Sequence, residues 1–372
     1  MADNKDKKVL NVPALRFPEF TEEWRLVHLD EIAEFQKHRI STSLLNNSNY
    51  ISTENILQNF EGIQSSPSIP ANTNVIEYQK GDILLSNIRP YLKKVWFADR
   101  KGGCSADVFV LRGDKCDQHF LYYVIASDRF INYVMSGAKG VKMPRGDKSQ
   151  MEKYAFSIPI NTEQRKIAKF LSILDERIRL QNKIIEKLET LIKGIRNNII
   201  SKIKGDCIVL QDIADIYQPQ TIASTDLTED GYLVYGANGI IGKYHSFNHE
   251  KEQICITCRG NTCGTVNFTE PKSWITGNAM VINTDNYAKN VNKRYLFHYL
   301  SSINFNSIIS GSGQPQIVRQ PLAKLKLILP VLKIQNRIAE CLDAMFAKMK
   351  NEQSFLQILQ IQKSCLLSQM FI

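Results

Sequence analysis

The sequence predicts an α+β fold in which two tandem globular modules of mixed α/β structure, related by a pseudo-two-fold axis, are separated by two long helices that form an antiparallel coiled coil. Two observations predict it: the chain contains one module twice, and an apolar heptad pattern follows each copy. We divide the 372 residues into module 1 (1–160), a first long spacer helix (161–204), module 2 (205–330) and a second long spacer helix (331–372).

The repeat is visible as matching segments in the same order, displaced by 171 to 181 positions. The matches are Leu29–Glu34 with Leu210–Asp215, Val95 and Phe97 with Val266 and Phe268, Ser136-Gly137 with Ser310-Gly311, Ile158-Pro159 with Leu329-Pro330, and Gln164–Ala168 with Gln335–Ala339. Units of this length are too long for a solenoid repeat and indicate duplicated domains.

Apolar residues at alternating steps of four and three predict the long helices. The first series is Ile167, Leu171, Leu174, Ile178, Gln181, Ile185, Leu188, Ile192, Ile195 and Ile199. The second is Ile338, Leu342, Met345, Met349, Glu352, Leu356, Leu359, Lys363, Leu366 and Met370. Gln181 and Glu352 interrupt the two series at the same heptad position, so we expect a polar contact that fixes the register. Asn161 and Gln164 suggest a capping box at the first helix.

Helices of this length are about 50 Å long. A compact domain of the size of module 2 has a radius of gyration of about 14 Å, and it joins the helices almost without linkers. Parallel helices would require it to bridge the whole length, so antiparallel pairing is expected.

Short β-rich runs predict strands at Gly81–Ser86 and Gln253–Thr257, with partner strands that end near Phe97 and Phe268. Helical patterns follow at 120–134 and 295–309. The segment Val12–Trp24, with two prolines, is expected to be extended and packed.

Composition excludes several classes of protein. With 43% hydrophobic residues and a mean hydropathy of −0.24, the chain is predicted to be globular. No apolar run reaches the roughly 18 residues of a membrane span, so we expect no membrane role and a cytoplasmic location. The eight cysteines fit reduced thiols. The net charge of +10 suggests an anionic partner, and +6 of it lies in 161–204, whereas 205–330 is neutral.

Motifs for catalysis are absent from the sequence. We find no Asn/Asp-Pro-Pro-Tyr motif for base methylation, no glycine-rich cofactor turn and no phosphate-binding loop. Cys255, Cys258 and Cys263 include one ligand-like spacing, but the strand pattern places the first two on opposite faces, which favours structural cysteines over a metal site. His245 with His249 is similarly weak, and Asp147 with Glu152 fits a solvated loop better than a nuclease site.

Several segments resemble one known family, the specificity subunits of type I restriction-modification enzymes. These are Leu15–Phe20 with Trp24, Leu29–Phe35, Ile83–Pro90, Cys258–Asn261, and the two helix entries Pro159–Ala168 and Pro330–Ala339. The resemblance covers nearly the whole chain in the order domain, helix, domain, helix. It implies that modules 1 and 2 are target-recognition domains, each reading one half of a split DNA sequence. Two such domains on a rigid rod can contact grooves about one turn, roughly 34 to 36 Å, apart.

The resemblance also implies partners. Double-stranded DNA, two methyltransferase subunits and restriction (motor) subunits are expected, without a cofactor on this chain. S-adenosylmethionine would bind the methyltransferase partner, and ATP with Mg²⁺ the restriction partner. A non-catalytic subunit is therefore favoured over a stand-alone methyltransferase or nuclease. The remaining alternative is a coiled-coil adaptor or scaffold without sequence-specific DNA binding, which leaves the duplicated modules unexplained.

Candidate DNA contacts are Arg, Lys, Asn and Gln on loops, because these side chains offer paired donors and acceptors to base edges. In module 1 they are Arg89, Lys93, Lys94, Lys139, Lys142, Arg145 and Lys148, and in module 2 Arg259, Asn261, Gln314, Gln316 and Arg319. Candidate partner contacts are apolar residues outside the heptad seam: Phe170, Ile173, Ile184, Phe346, Phe355 and Ile358.

Overall fold

A computed structural model describes residues 11–65, 68–236, 239–311 and 313–372. The chain forms two compact units. One contains module 1, the first long helix up to Leu180 and the end of the second, Leu356–Ile372. The other is Gln181–Phe355, which contains module 2 and the remaining part of both helices. Since the units share the long helices, our four-part division stays a prediction.

Module 1 is built on two four-stranded sheets, the first of which is antiparallel. The first has the strand order Ala33–Phe35, Val108–Gly113, Ile83–Ser86, Val95–Phe97. The second has the order Arg39–Ser41, Asn74–Tyr78, Gly102–Cys104, Tyr50–Ile51. Arg25–His28 pairs with Ala155–Ile158, and the short helices are Leu29–Ile32, Gln118–Ile125, Asp128–Ser136 and Lys148–Glu152.

Module 2 repeats the main sheet with the same connectivity. Its order is Asp215–Tyr217, Ala279–Asn283, Ile254–Thr257, Val266–Phe268. The second sheet has three strands, Gly239–Tyr244, Tyr232–Gly236 and Trp274–Ile275, and Asp206–Val209 pairs with Lys326–Leu329. A two-stranded hairpin joins Ile309–Ser310 to Gln316–Ile317, and the short helices are Lys293–Leu300 and Arg319–Ala323. The predicted duplication of an α+β module is confirmed.

The helical segments predicted within the modules are shorter than expected. In module 1 the helix breaks after Ile125, because Ser127 accepts a hydrogen bond from Phe130 N and caps a second helix. In module 2 the helix ends at Leu300, and a single 3₁₀ turn, Phe305–Ser307, follows it. Helical periodicity persists across both breaks, which is why the sequence pattern missed them.

The N-terminal segment is extended and packed, as the sequence predicts. Residues 11–24 contain no helix or strand, and Trp24 at their end is buried, as expected for an extended, packed segment. Residues 1–10 lie outside the described part of the chain. In the described residues, no helix has the length and apolar character needed to cross a membrane.

The long helices are Asn161–Lys202 and Leu332–Met370, and their heptad positions are buried or half-buried. In the first unit, Phe371 contacts Phe120 near the start of the first helix, whereas Lys363 pairs with Asp175 further along it. In the second, Gln181 Nε2 donates to Glu352 Oε2 at 2.6 Å. The two helices therefore run antiparallel within the first unit, and the predicted Gln181–Glu352 contact forms. Supercoiling and a register function remain predictions.

Each long helix is tied to its module by a buried glutamine. Gln164 Nε2 donates to Pro159 O at 2.8 Å, and its Oε1 accepts from Asp117 N, also at 2.8 Å. Gln335 makes the same two bonds, to Pro330 O and from Asn292 N, each at 2.8 Å. The predicted capping box is therefore wrong, since Gln164 bonds to module 1 rather than to the first helix turn.

Candidate nucleic-acid interface

The candidate DNA residues of module 1 lie on two loops that backbone hydrogen bonds join. One loop follows the strand Ile83–Ser86, and the other is a hairpin closed by mutual bonds between Lys139 and Arg145 at 3.0 and 2.9 Å. Arg89 N donates to Pro144 O at 2.8 Å, and Gly146 N donates to Asn87 O at 3.1 Å. The loops form one surface held by the main chain, so their side chains are free to vary.

Module 2 repeats this arrangement at a constant offset of 171 residues. Gly260 N donates to Pro315 O, and Ile317 N donates to Cys258 O, both at 3.0 Å. Module 2 pairs Ser310 with Gln316 where module 1 pairs Lys139 with Arg145. Ser310 therefore corresponds to Lys139, and the match with Ser136 that the sequence repeat suggested is wrong. Arg259 therefore corresponds to Ile88 and not to Arg89.

The basic side chains of the module 1 hairpin are exposed and held by weak ion pairs. Lys139 Nζ lies 2.8 Å from Asp147 Oδ2, and Arg145 Nη1 lies 2.7 Å from Asp107 Oδ1. Lys142, at the hairpin tip, is exposed. Exposed ion pairs contribute at most about 1 kcal/mol, so a phosphate can take the place of either carboxylate.

Asp147 is better placed than the sequence indicated. It is the N-cap of the helix Lys148–Glu152 and accepts from Ser149 N and Gln150 N, so the expected solvated loop is wrong. The hydrogen bond from Lys139, supported by those backbone donors, lowers the pKa of its carboxyl group. Asp147 thus stays charged and positions both the hairpin and the helix.

Arg89 and Lys93 have strained backbones. Their φ angles are 50° and 54°, in the left-handed region that non-glycine residues seldom adopt. The Nε atom of Arg89 is buried without a hydrogen-bond partner, while Lys93 Nζ pairs with Asp128 at 2.6 Å. Strain and unsatisfied donors often mark functional positions.

Two other lysines are directed away from this surface. Lys94 Nζ donates to Thr53 O at 2.6 Å, and burial lowers the pKa of its ammonium group. Lys148 belongs to the short helix, where its ammonium lies 5.1 Å from the Phe35 ring centre and 3.6 Å from Glu152. Both therefore stabilise module 1 itself.

The corresponding surface of module 2 carries fewer cations and is rich in amides. Arg259, Asn261, Gln314 and Gln316 are exposed on it. Arg319 is exposed as well, but its Nε donates to Ile216 O at 2.7 Å and so fixes the start of the helix Arg319–Ala323. Amide side chains suit base edges better than phosphates.

Apolar residues at the loop tips escaped the sequence prediction. Val141 and Met143 flank Lys142 and are exposed, as are Ile240 and Ile241 on a hairpin strand of module 2. For Val141 and Met143 a signal was present in the sequence, because both lie between two turn formers, Gly140 and Pro144. The candidate DNA contacts were chosen among charged and amide residues only.

The partner-contact candidates divide into two groups. Ile173, Ile184 and Ile358 are exposed, and Phe170 is partly exposed with its ring edge against Phe17. Phe346 instead packs against the rings of Phe297 and His298. Phe355 is half-buried.

Leu180 and Leu191, which sequence analysis missed, are exposed at positions 7 and 18 beyond Ile173. That spacing places them on the same face of the first long helix as Ile173 and Ile184.

Cys255 and Cys258 of module 2 are structural in character. Cys255 and Cys258 are buried in separate apolar clusters, and Gln218 Nε2 donates to Cys258 Sγ at 3.1 Å. In the ranges that the structure describes, no group of three His, Cys, Asp or Glu side chains is arranged to hold a metal ion.

Comparison with known proteins gives the family. The model of the type I restriction modification DNA specificity domain matches the chain twice, at residues 21–190 and 207–360. The chain belongs to this family. Two matches at the positions of the two modules agree with the duplicated sheets and hairpins.

Curated relatives include specificity subunits from bacteria and archaea. The type I restriction enzyme EcoprrI specificity subunit of Escherichia coli is 26% identical over 63% of this chain and 59% of that protein. The chain thus matches about three fifths of the length of this relative. The MjaVIII specificity subunit of Methanocaldococcus jannaschii is 23% identical over 91% of this chain and 89% of its own length.

Solved structures show the same fold at low identity. The S subunit of a type I restriction-modification system from M. genitalium matches with a TM-score of 0.66 and 17% identity, over 97% of this chain and 99% of that one. A chain from a study of type I complex assembly and conformational transition matches with a TM-score of 0.56 and 18% identity, over 92% and 96%.

Proposed function

We propose that this chain is the DNA-reading specificity subunit of a type I restriction-modification complex, and that each module reads one half of a bipartite site. The observation that carries the proposal is that, in both modules, backbone hydrogen bonds join the hairpin to the loop after a strand of the main sheet. The backbone bonds are the same in both copies, while the exposed side chains differ. A conserved frame with variable side chains is what two different half-sites require.

The two surfaces suit different kinds of contact. In module 1, Lys139, Lys142 and Arg145 supply positive charge for phosphates, with Arg89 and Lys93 beside them. Module 2 offers Asn261, Gln314 and Gln316, whose amides pair with base edges, together with Arg259. We leave Lys94 and Lys148 out of this interface, because each is held by a contact within module 1.

The chain has no catalytic role in this proposal. Two methyltransferase subunits dock on the long helices through exposed apolar residues such as Ile173, Ile184 and Ile358, and the helix pair sets the spacing between the half-sites. S-adenosylmethionine binds the methyltransferase subunits, and ATP with Mg²⁺ binds the restriction subunits. The complex acts on DNA in the cytoplasm.

The test is co-expression with a methyltransferase subunit, followed by sequencing of modified adenines in the host DNA. We expect one split motif, with two short specified halves around an unspecified gap. A chain with Gln314→Ala and Gln316→Ala should relax the bases of one half only. A chain with Lys142→Ala and Arg145→Ala should reduce methylation without changing the motif.

Methylation that does not depend on this chain would contradict the proposal. A continuous motif would contradict the two-module mechanism and favour an adaptor that only brings subunits together.

A further inference from the structure

Module 2 contains a cavity of about 520 Å³ beside the end of the first long helix. Lys193, Arg196 and Asn197 line it from the helix, and Thr265 and the segment Ser301–Asn306 line it from the module. Since a water molecule occupies about 30 Å³ in the liquid, the cavity has room for a small anion together with several waters. Cys263–Thr265 of the loop after Ile254–Thr257 and Ile309 of the hairpin also line it, so it borders the surface assigned to DNA, but its cations belong to the long helix.

The cavity follows from a difference in length between the modules. The helix that begins at Gln118 corresponds to the one that begins at Lys293, at an offset of 175, whereas the hairpins correspond at an offset of 171. The connection is therefore four residues shorter in module 2. In this connection module 1 has the helix Asp128–Ser136, whose Phe130 is buried, whereas module 2 has only one 3₁₀ turn, Phe305–Ser307.

Arg196 is unusual among the residues that line the cavity. It is half-buried, and its Nε atom is enclosed without a hydrogen-bond partner. Burial lowers the pKa of its guanidinium group, and no carboxylate offsets that effect. The carboxylate of Asp343 already accepts hydrogen bonds from Arg294 and His298. A partly desolvated cation without a counter-charge is costly unless an anion joins it.

The repeat shows that packing does not require this arginine. At the offset of 171, Arg196 corresponds to Leu367 of the second long helix, which packs against the apolar core of module 1. Lys193 and Asn197 correspond in the same way to Ser364 and Ser368. The cationic residues thus occur only where the shortened connection leaves a cavity.

We propose that this cavity binds a small phosphate-bearing anion, with Arg196 and Lys193 as its counter-charges. The described side chains that line the cavity include no carboxylate. Asn304 accepts from Asn306 N through Oδ1, which leaves its amide hydrogens for the ligand, and Asn197 and Thr265 add further donors. Several donors around a cation suit the oxygens of a phosphate group. This site does not depend on sequence-specific DNA reading.

The test uses inorganic pyrophosphate and the full chain at constant ionic strength. We expect pyrophosphate to raise the melting temperature of the wild type, because a ligand bound only by the folded state stabilises it. Arg196→Leu should weaken binding by at least tenfold in calorimetric titration. The matched control is Lys187→Leu, which removes an exposed cation of the same helix outside the cavity and should bind as the wild type does.

The melting temperature without ligand checks that Arg196→Leu folds. We expect it to be no lower than that of the wild type, because Leu367 shows that leucine fits the equivalent position. Equal pyrophosphate binding by Arg196→Leu and the wild type would overturn the proposal. The proposal would also be overturned if Arg196→Leu lost affinity for duplex DNA of unrelated sequence while it bound pyrophosphate as the wild type does. That result would make Arg196 a contact to the DNA backbone.

Discussion

The hairpins of the two modules share their backbone and differ in their charge. Pro144 O and Pro315 O accept equivalent hydrogen bonds, from Arg89 N and Gly260 N. Yet Lys139 and Arg145 of the first hairpin become Ser310 and Gln316 in the second. The comparison teaches that both modules share the main-chain bonds of this surface, so its side chains can differ without a change of fold. Under the proposed function, that freedom lets the two modules read different half-sites.

The two buried glutamines test a feature that both modules share, and replacing either one should give the largest loss of stability. Gln164→Leu leaves one backbone N–H and one carbonyl without their partner. Gln335→Leu leaves one N–H and two carbonyls, because Gln335 Nε2 also donates to Asn290 O. Each such group costs about 1 to 3 kcal/mol, so we expect either variant to lose about 2 to 4 kcal/mol in denaturant unfolding. The exposed Gln320→Leu is the control and should change little. A large loss of stability in only one of the two variants would contradict the equivalence of these glutamines in the two modules.

The basic residues of the module 1 hairpin test the charge difference between the two modules. Lys142→Ala with Arg145→Ala should weaken DNA binding roughly tenfold or more at low salt. The slope of log affinity against log salt should become shallower by about 1 to 2, because each phosphate contact contributes about 0.9. Gln314→Ala with Gln316→Ala in module 2 is the matched change and should leave the slope as it is. An unchanged slope in the first variant would remove the module 1 hairpin from the DNA interface.

Acid should destabilise module 2 before module 1. Burial lowers the pKa of His249 and of His298, whereas His28, His38 and His119 of module 1 are exposed. A histidine with a lowered folded pKa stabilises the fold above its unfolded pKa of about 6.5 and loses that contribution as pH falls towards the folded value.

Hydrogen exchange measured at pH 7 and pH 5 checks this difference. We expect protection in the sheet of module 2 to fall, by at most about 1.4 kcal/mol per pH unit for each proton that the unfolded chain gains. His249→Gln should reduce the difference between the modules. Equal losses in both sheets would contradict the expected role of the buried histidines.

The seam contact should give the smallest change in stability. Gln181 bonds to Glu352, and Lys348 also pairs with that carboxylate at the surface. Gln181→Leu with Glu352→Leu replaces this contact by apolar packing, which we expect to alter the free energy of unfolding by no more than about 1 kcal/mol. Disulfide trapping with cysteines placed across the helix pair should then detect more than one register. A single unchanged register would show that the polar contact does not specify it.

The sequence by itself determined the duplicated α+β modules and the two long helices. These follow from local patterns, since heptad periodicity predicts a helix and repeated segments predict repeated folds. The family was indicated by the resemblance of several segments, and the family model then matched the chain. Ile83–Ser86 and Val95–Phe97 were predicted closely for the same reason, because their apolar residues are consecutive in the chain.

Only the tertiary structure decided how the candidate site is assembled. Lys94 and Lys142 are both lysines on predicted loops, but one is held by Thr53 O and the other is exposed at a hairpin tip. Gln164 matched a capping signal and instead bonds to Asp117 N. Arg196 lies on a regular helix, but the cavity beside it is lined by a connection about a hundred positions away in the chain. Such contacts join residues distant in the chain, and no local pattern contains them.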